Sequence, residues 1–451
     1  MKSSTSLLIL APLFGTVLAL GAANVLRSAE ARGAEAGYWD DDEVDYVRRM
    51  VASTYVDPVS EKQSQELFYA ALDGYVKSLP DEYDDFITPD EYRRWKDDTA
   101  GHYAGIGVKI EAEARGLRLI GVLPGGPAAQ AGLKIGEVVT EVDGRPLAGA
   151  DLKRDDTLRS LKGDKDTVVH AKVWIPPPAG APAGTEGTVR DATVVRAEIR
   201  PPTVFARRLA KDQKVGYLRI SEFTEATKGD VDRELDAMVA GGARAVVVDL
   251  RGNGGGVLNA TVHIADRFVR SGDIVRMTGR AEGTTRTEPA HEKGTIPDSV
   301  GLVVLVDGHS ASASEVFAGC IQDHRRGVLL GTRTYGKFLV QNITEIPGKG
   351  AALKLTTARY QTPLGRSYQR PAKDTKSAPA GLLPDIAVEL SADDAAKFEK
   401  QMSDADESVW GSPPQHPELK DWIDPQLQRA LDLIDGNLLL QEVRGGGKGN
   451  G

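Results

Sequence analysis

The sequence predicts an α/β core interrupted by a smaller, mostly β domain and flanked by helical N- and C-terminal regions. Three observations carry this. The apolar runs AVVVDL, LVVLV and VLLG are short, unbroken and separated by helical stripes, the mark of strands covered on both faces. Between residues 101 and 200 the texture changes to short alternating strands with Gly-rich turns. Apolar residues at helical spacing bracket the whole, Val44, Val47 and Val51 before it and Leu427, Ala430, Leu431 and Ile434 after it.

At 451 residues the chain exceeds one ordinary core. It is 41% hydrophobic and 27% charged, the composition of a globular protein, and its formal charge of -9 with no basic stripe argues against a nucleic-acid partner. Cys320 is the single cysteine, so an intramolecular disulfide is excluded and stability must come from packed cores.

In chain order, residues 1–23 combine Lys2, an apolar run from Leu7 to Leu20 and small residues at Gly21 to Ala23, the pattern of a secretory signal. The expectation is export to the periplasm or cell envelope with cleavage; an uncleaved membrane anchor is the alternative. Residues 38–100 form an N-terminal helical region, broken at Asp57-Pro58. The mostly β domain takes 101–200, with 176–187, PPPAGAPAGTEG, as a loop inserted in a hairpin. The α/β core spans 201–395, a C-terminal helical region 396–440, and a Gly-rich disordered tail 441–451.

In α/β sheets, chemistry gathers at the carboxyl ends of strands. The loop after AVVVDL is DLRGNGGG, residues 249–256. GK[ST] is missing and the third glycine of GxGxxG would fall at Val257, so phosphate binding is weakly supported. Such a loop can instead offer backbone N–H groups to an oxyanion, or simply make a tight turn. The loop after LVVLV carries Ser310, Ser312 and Ser314. Ser312 and Glu315 fit a capping box, which would make Ser312 only a helix start.

Lys337 opens the other reading. A helix of about ten residues, roughly 15 Å long, followed by a strand of about five residues, roughly 16 Å long, returns the chain so that RTYGK lies beside the serines. A lysine buried there could serve as general base, with Gln341 holding its amine; a solvated loop lysine is the bland alternative. Among histidines, His309 and His324 lie nearest, but a Ser-His-Asp triad has no supporting GxSxG.

DLRGNGGG, SASASE, GTRTYGK and VQ, in this order, resemble the carboxyl-terminal processing proteases, exported serine endopeptidases with a Ser-Lys dyad, a crotonase/ClpP-like core and an embedded PDZ domain. The resemblance runs from about residue 40 to 435. It implies Ser312 as nucleophile, Lys337 as base and Gln341 as the residue orienting the lysine. It also implies an oxyanion hole from the backbone N–H of Ala313 and of Gly255 or Gly256. YAGIGV resembles the PDZ carboxylate-binding loop, which implicates Gly105, Ile106, Gly107 and Val108 in holding a substrate's C-terminus. The partners implied are proteins or peptides with accessible C-termini, a second copy of the chain through the helical ends, and a possible adaptor. No cofactor or metal is implied. Phe338 and Leu339 depart from the small residues usual after the lysine. A catalytically inactive PDZ scaffold on the same core is the alternative, and a crotonase-type acyl-CoA enzyme fits the export signal poorly.

Overall fold

The computed structural model describes residues 40–147, 160–178, 180–182, 184–209, 214–370 and 380–446. The expected signal, residues 1–23, and the last residues of the expected tail, 447–451, lie outside the described residues.

Two helices come first, α1 (Asp41–Thr54) and α2 (Glu61–Lys77). Each begins where a side chain can satisfy the first free N–H groups: Asp40 accepts from Asp42 and Glu43, and Ser60 forms a capping box with Gln63. The apolar stripes that announce these helices are left largely uncovered, with Val44, Tyr46, Val47, Leu67 and Phe68 exposed. The segment then contributes a short strand, β1 (Asp85–Ile87), and a third helix, α3 (Pro89–Ala100). Pro89 at the helix start and left-handed Gly101 at its end fix the length of α3.

The small domain comprises β2 (Tyr103–Gly105), β3 (Val108–Glu113), β4 (Gly116–Val122), α4 (Pro127–Gln130), β5 (Val138–Val142), β6 (Arg145–Pro146), β7 (Val168–Ile175), β8 (Thr188–Val195) and β9 (Ala197–Ile199). Its sheet runs β3-β4-β5-β7-β8, with β6 on β5. Leu117, Leu119, Val139, Val169 and Val173 are fully buried in its own core. Antiparallel β2 and β9 bring the entry and exit of the chain side by side, so the domain is inserted without opening the core that holds it. Residues 176–187 join β7 to β8, whose register sets Ile175 opposite Thr188. Among the described residues, strand β3 pairs with β4 alone, and its other edge has no strand partner.

The larger core contains β10 (Val204–Leu209), β11 (Val215–Ile220), α5 (Thr227–Ala240), β12 (Ala245–Asp249), α6 (Leu258–Asp266), β13 (Asp273–Gly279), β14 (Arg286–Pro289), β15 (Gly301–Val306), α7 (Ala313–Asp323), β16 (Val328–Gly331), β17 (Leu339–Glu345), β18 (Ala352–Gln361) and β19 (Ile386–Ala387). Its main sheet has the order β10-β11-β12-β15-β16-β19, parallel from β11 onward. Side chains alternate across a strand. Val246, Val248 and Val304 thus join the cluster containing α5, α6 and α7 residues, while Val247, Val303 and Leu305 join the cluster beneath the C-terminal helix. Each such fully buried side chain contributes about 1.5–3 kcal/mol. A second sheet, β1-β18-β13-β14 with β17 on β18, covers the helical side.

Two C-terminal helices follow, α8 (Ala392–Ser408) and α9 (Pro425–Gly446). Helix α8 bridges the two domains: Asp406 pairs with Arg219 of β11 at 2.6 Å, and Glu407 pairs with Lys109 of β3. Helix α9 continues past residue 440 to Gly446, into the stretch expected to be disordered tail. Extending an anchored helix adds one hydrogen bond per residue without a new nucleus.

Candidate active site

Loops after β12 and β15 meet at the carboxyl end of the parallel sheet. The first is pinned from below. Asp249 and Arg251 are both about 1% exposed, with Arg251 Nη2 at 2.6 Å from Asp249 and at 2.6 Å from Asp424 of the segment leading into α9. Arg251 Nη1 donates to Gln426, and Tyr217 donates to Asp249. Burial opposes ionisation on both sides, but the paired charges hold the Asp249 carboxyl below its usual range.

The second loop is fastened to the first through main-chain and hydroxyl contacts. Ser310 Oγ donates to the Leu250 carbonyl at 2.8 Å, and Ser314 Oγ donates to the Asn253 carbonyl at 2.9 Å. The outer two serines are therefore engaged in joining loops. Asp307 accepts from the N–H groups of Gly252, His309 and Ser310. The middle serine, Ser312, stands immediately before α7 with φ 54° and ψ −113°, a conformation that L side chains rarely adopt. Such strain costs of order 1–3 kcal/mol and persists only where surrounding contacts impose it.

Glu315 supplies that imposition. Its buried carboxylate accepts from Ser312 N–H at 2.9 Å, Thr334 Oγ1 at 2.6 Å, Gly336 N–H at 2.7 Å and Lys337 N–H at 2.7 Å. The backbones of Ser312 and Lys337 thus hang on one side chain. Burial pushes the Glu315 carboxyl up, and the four donors work against that rise.

Gly255 approaches from the other side. A Cβ there would lie 2.8 Å from the Ala311 carbonyl oxygen, 3.0 Å from Ala313 N and 3.0 Å from Ser312 Cβ. Gly255 N–H donates to Asn253 Oδ1 at 2.8 Å, whereas the N–H groups of Gly256 and Ala313 have no protein acceptor among the described residues. Of the two glycines considered as oxyanion donors, Gly256 is the one with a free N–H.

Lys337 lies in the return loop after β16, whose Tyr335 N–H bonds the Ser310 carbonyl. Its amine sits 4.1 Å from the centre of the Tyr83 ring, and no hydrogen bond joins it to Ser312. Burial, then the like charge of Lys354, lowers its pKa below the usual lysine value, while Asp81 and Glu82 act the other way. Gln341 Nε2 donates to Thr356 Oγ1 at 3.2 Å rather than to Lys337. Phe338 and Leu339 both turn into the core.

Histidine takes no part here: His309 is exposed, and His324 bonds the Asp273 carbonyl at the end of α7. Cys320 is fully buried, which pushes its thiol up and out of reactive range. Tyr83 and Thr356 are parts of the site that sequence spacing does not reveal, because they come from segments far away along the chain; Asn253 lies within the loop already singled out, but its side-chain bond to Gly255 N–H is not visible in the sequence.

The loop Gly105, Ile106, Gly107 and Val108 lies at the free edge of β3. Gly107 has φ 75°, and the N–H groups of Ile106 and Gly107 have no protein acceptor among the described residues. A groove of about 750 Å³ opens beside this loop, lined by Ile106, Val108, Ile110, Leu161, Lys162 and the Asp90–Asp97 face of α3. Adjacent unpaired N–H groups form an anion-binding nest. Among the described residues, no group of His, Cys, Asp and Glu side chains is arranged to hold a metal ion.

Residues 214–388 match the family described as peptidase family S41, and residues 120–175 match a PDZ domain. The chain is 31% identical over 336 residues to the carboxy-terminal-processing protease of Bartonella bacilliformis, covering 73% of this chain and 71% of that one. It is 33% identical over 333 residues to the chloroplastic C-terminal processing peptidase of Tetradesmus obliquus, covering 71% and 68% of the two chains. A solved photosystem II D1 C-terminal processing protease aligns over 82% of this chain and 92% of its own, at 27% identity and a TM-score of 0.43.

Proposed function

That the chain belongs to peptidase family S41, the carboxy-terminal-processing proteases, is the premise from which we propose its function: an exported Ser-Lys endopeptidase that selects substrates by their C-terminal tails. The observation that carries this reading is the strained placement of Ser312 at the head of α7, with Gly255 packed against it and the Ala313 and Gly256 N–H groups free. A helix N-terminus and unpaired backbone donors beside a hydroxyl suit a developing oxyanion.

In the reaction, neutral Lys337 takes the Ser312 Oγ proton as Oγ bonds to the peptide carbonyl carbon. The carbonyl oxygen gains negative charge and is received by the Ala313 and Gly256 N–H groups. Collapse breaks the C–N bond, and the Lys337 ammonium returns a proton to the leaving amine. Water then attacks the Ser312 ester with Lys337 again as base, freeing the new C-terminus and the hydroxyl. Gln341 holds the amine in its working position. In this structure the amine lies over the Tyr83 ring without a hydrogen bond to Ser312, and the proposed reaction brings the two groups together while the Lys337 backbone stays on Glu315.

Tail selection rests on β3. A peptide adds as a strand to the free edge and places its terminal carboxylate on the Ile106–Gly107 nest. The N-terminal signal reading supports a periplasmic or envelope location, and the uncovered apolar stripes of α1 and α2 support a homodimer joined through these helices. An adaptor protein is a further partner for the exposed surface of the small domain.

The test uses an unstructured protein with a free C-terminus as substrate. Ser312→Ala and Lys337→Ala each abolish cleavage while leaving thermal unfolding unchanged; full activity in either variant ends the assignment. Labelling of the wild type but not Ser312→Ala by a fluorophosphonate probe separates a live enzyme from an inactive scaffold.

A further inference from the structure

Strands β17 and β18 pair regularly except at one point. Val340 lies opposite Ala358, whereas Gln341 lies opposite Thr356, so Thr357 is an extra residue on β18. Such a bulge bends a strand locally and re-aims its side chains. It has a cost here, because the Thr357 hydroxyl is buried without a hydrogen-bond partner. What the bulge achieves is the pairing of Gln341 with Thr356, since residues directly opposite each other share a face of the sheet. Gln341 Nε2 donates to Thr356 Oγ1 at 3.2 Å.

That face looks toward the base. Lys354, two residues before Thr356, acts on the Lys337 amine through its charge. Leu353 and Leu355 point the other way, into the small cluster with Val76 and Phe86. Asp84, buried just before β1, fastens the bulge from its flank: its carboxylate accepts the Thr356 N–H at 2.6 Å. A carboxamide has one donor end and one acceptor end. With the Nε2 end of Gln341 engaged on Thr356, Oε1 is the end that stays open, and it has no protein donor among the described residues.

We propose that Thr356 is a positioning residue for the base: its hydroxyl fixes which end of the Gln341 amide faces Lys337, and Asp84 holds that hydroxyl in place through the bulge. The inference rests on the Ser-Lys reading above. An amine that donates one N–H to Gln341 Oε1 has its lone pair directed elsewhere, toward the Ser312 hydroxyl in the reaction. After proton transfer the ammonium keeps the same acceptor while it delivers a proton to the leaving amine. The reversed amide would present its NH2 group, which offers an ammonium no acceptor. Thr356 touches neither the substrate nor the reacting atoms, so its whole effect passes through Gln341.

The test measures kcat and KM of the full chain on an unstructured protein substrate, with thermal unfolding recorded for each variant. Thr356→Val keeps the shape and branching of the side chain and removes the hydroxyl; kcat should fall about five- to tenfold, the worth of one hydrogen bond, with KM unchanged. Thr356→Ser should restore the rate. In a Gln341→Ala background, Thr356→Val should cost nothing further, because the two changes remove one contact. Asp84→Asn, which retains a carbonyl oxygen for the Thr356 N–H, should stay near wild type, while Asp84→Ala should behave like Thr356→Val. A folded Thr356→Val chain with wild-type kcat overturns the proposal, as do losses from Thr356→Val and Gln341→Ala that multiply. Where Thr356→Val does not fold, Gln341→Asn decides, one methylene too short to span Thr356 and Lys337: the same loss of kcat supports the proposal and a wild-type kcat overturns it. Cleavage that survives Lys337→Ala overturns the Ser-Lys reading itself, a result distinct from an inert Thr356 in an enzyme that needs Lys337.

Discussion

Gly255 and Ser312 stand so close that a methyl group on Gly255 would fall 3.0 Å from Ser312 Cβ and 2.8 Å from the Ala311 carbonyl oxygen. Gly255 also has φ 110°, where a side chain is strained whatever the space. Gly255→Ala therefore displaces the two loops that build the proposed oxyanion site. Steady-state kinetics should show kcat falling by about 10²–10³-fold, the range for a lost oxyanion donor. The KM for a tailed substrate should change little, because the groove lies in the other domain.

In the proposed reaction Lys337 must be neutral to act, so the rate should rise with pH through its titration. Burial and Lys354 set that midpoint below the ordinary value of 10.5. Lys354→Gln removes a like charge, raises the Lys337 pKa and moves the acid limb of kcat/KM to higher pH. A profile that does not move, or moves downward, argues against Lys337 as the titrating base. The stability sign follows from the same shift. Between the lowered folded value and the unfolded one, the unfolded chain binds this proton more than the folded chain does, so the Lys337 titration makes stability rise with pH across that window.

Much of the fold was legible because burial leaves a pattern. AVVVDL, LVVLV and VLLG became β12, β15 and β16, adjacent and parallel in the main sheet, since residues covered on both faces must all be apolar. The return of RTYGK to the serines followed from helix and strand rise alone, and Tyr335 N–H does bond Ser310. The pose of the lysine was not legible. It depends on Tyr83, a residue whose own neighbourhood reads as a charged turn and whose meeting with Lys337 is made by β1 joining β18. A three-residue strand carries too little periodicity to be seen. The choice of Gly256 over Gly255 as free donor was equally hidden, because it turns on the Asn253 side chain.

Glu315 suspends the backbones of both Ser312 and Lys337. In Glu315→Gln one acceptor oxygen becomes an NH2 group facing N–H donors, leaving buried donors without partners. Loss of stability of about 1–3 kcal/mol is expected for such an unsatisfied group, measured by denaturant unfolding. Activity should fall further than folding, because Ser312 relaxes from its strained conformation; kcat should drop while KM holds.

Arg251 links the first loop to the start of α9 through Asp249, Asp424 and Gln426. Arg251→Met leaves two buried carboxylates unpaired and should cost about 3–5 kcal/mol. The Asp249 carboxyl, depressed in the folded chain from 3.8, contributes stability above that value and loses it as pH falls through the folded pKa. Wild type should accordingly destabilise in acid at this site. Chemical denaturation at neutral and acidic pH should show the difference between wild type and Arg251→Met shrinking in acid, where the Asp249 carboxylate becomes neutral in both.

In the proposed function, the β3 edge without a strand partner among the described residues and the Ile106–Gly107 nest receive the substrate's last residue. Gly107 adopts φ 75°, and a Cβ on it would press on Ile199 at 3.1 Å. Gly107→Val, β-branched in a left-handed position, should close the nest without touching the serine loop. With a substrate bearing a free tail, KM should rise while kcat at saturation is less affected. Amidating the same substrate should raise the wild-type KM in the same way, because a neutral amide cannot replace a carboxylate on backbone N–H groups. The two changes should not add, since each removes the same contact. Additive effects would place the carboxylate elsewhere, with Lys162 and Lys165, which also line the groove, as the next residues to substitute.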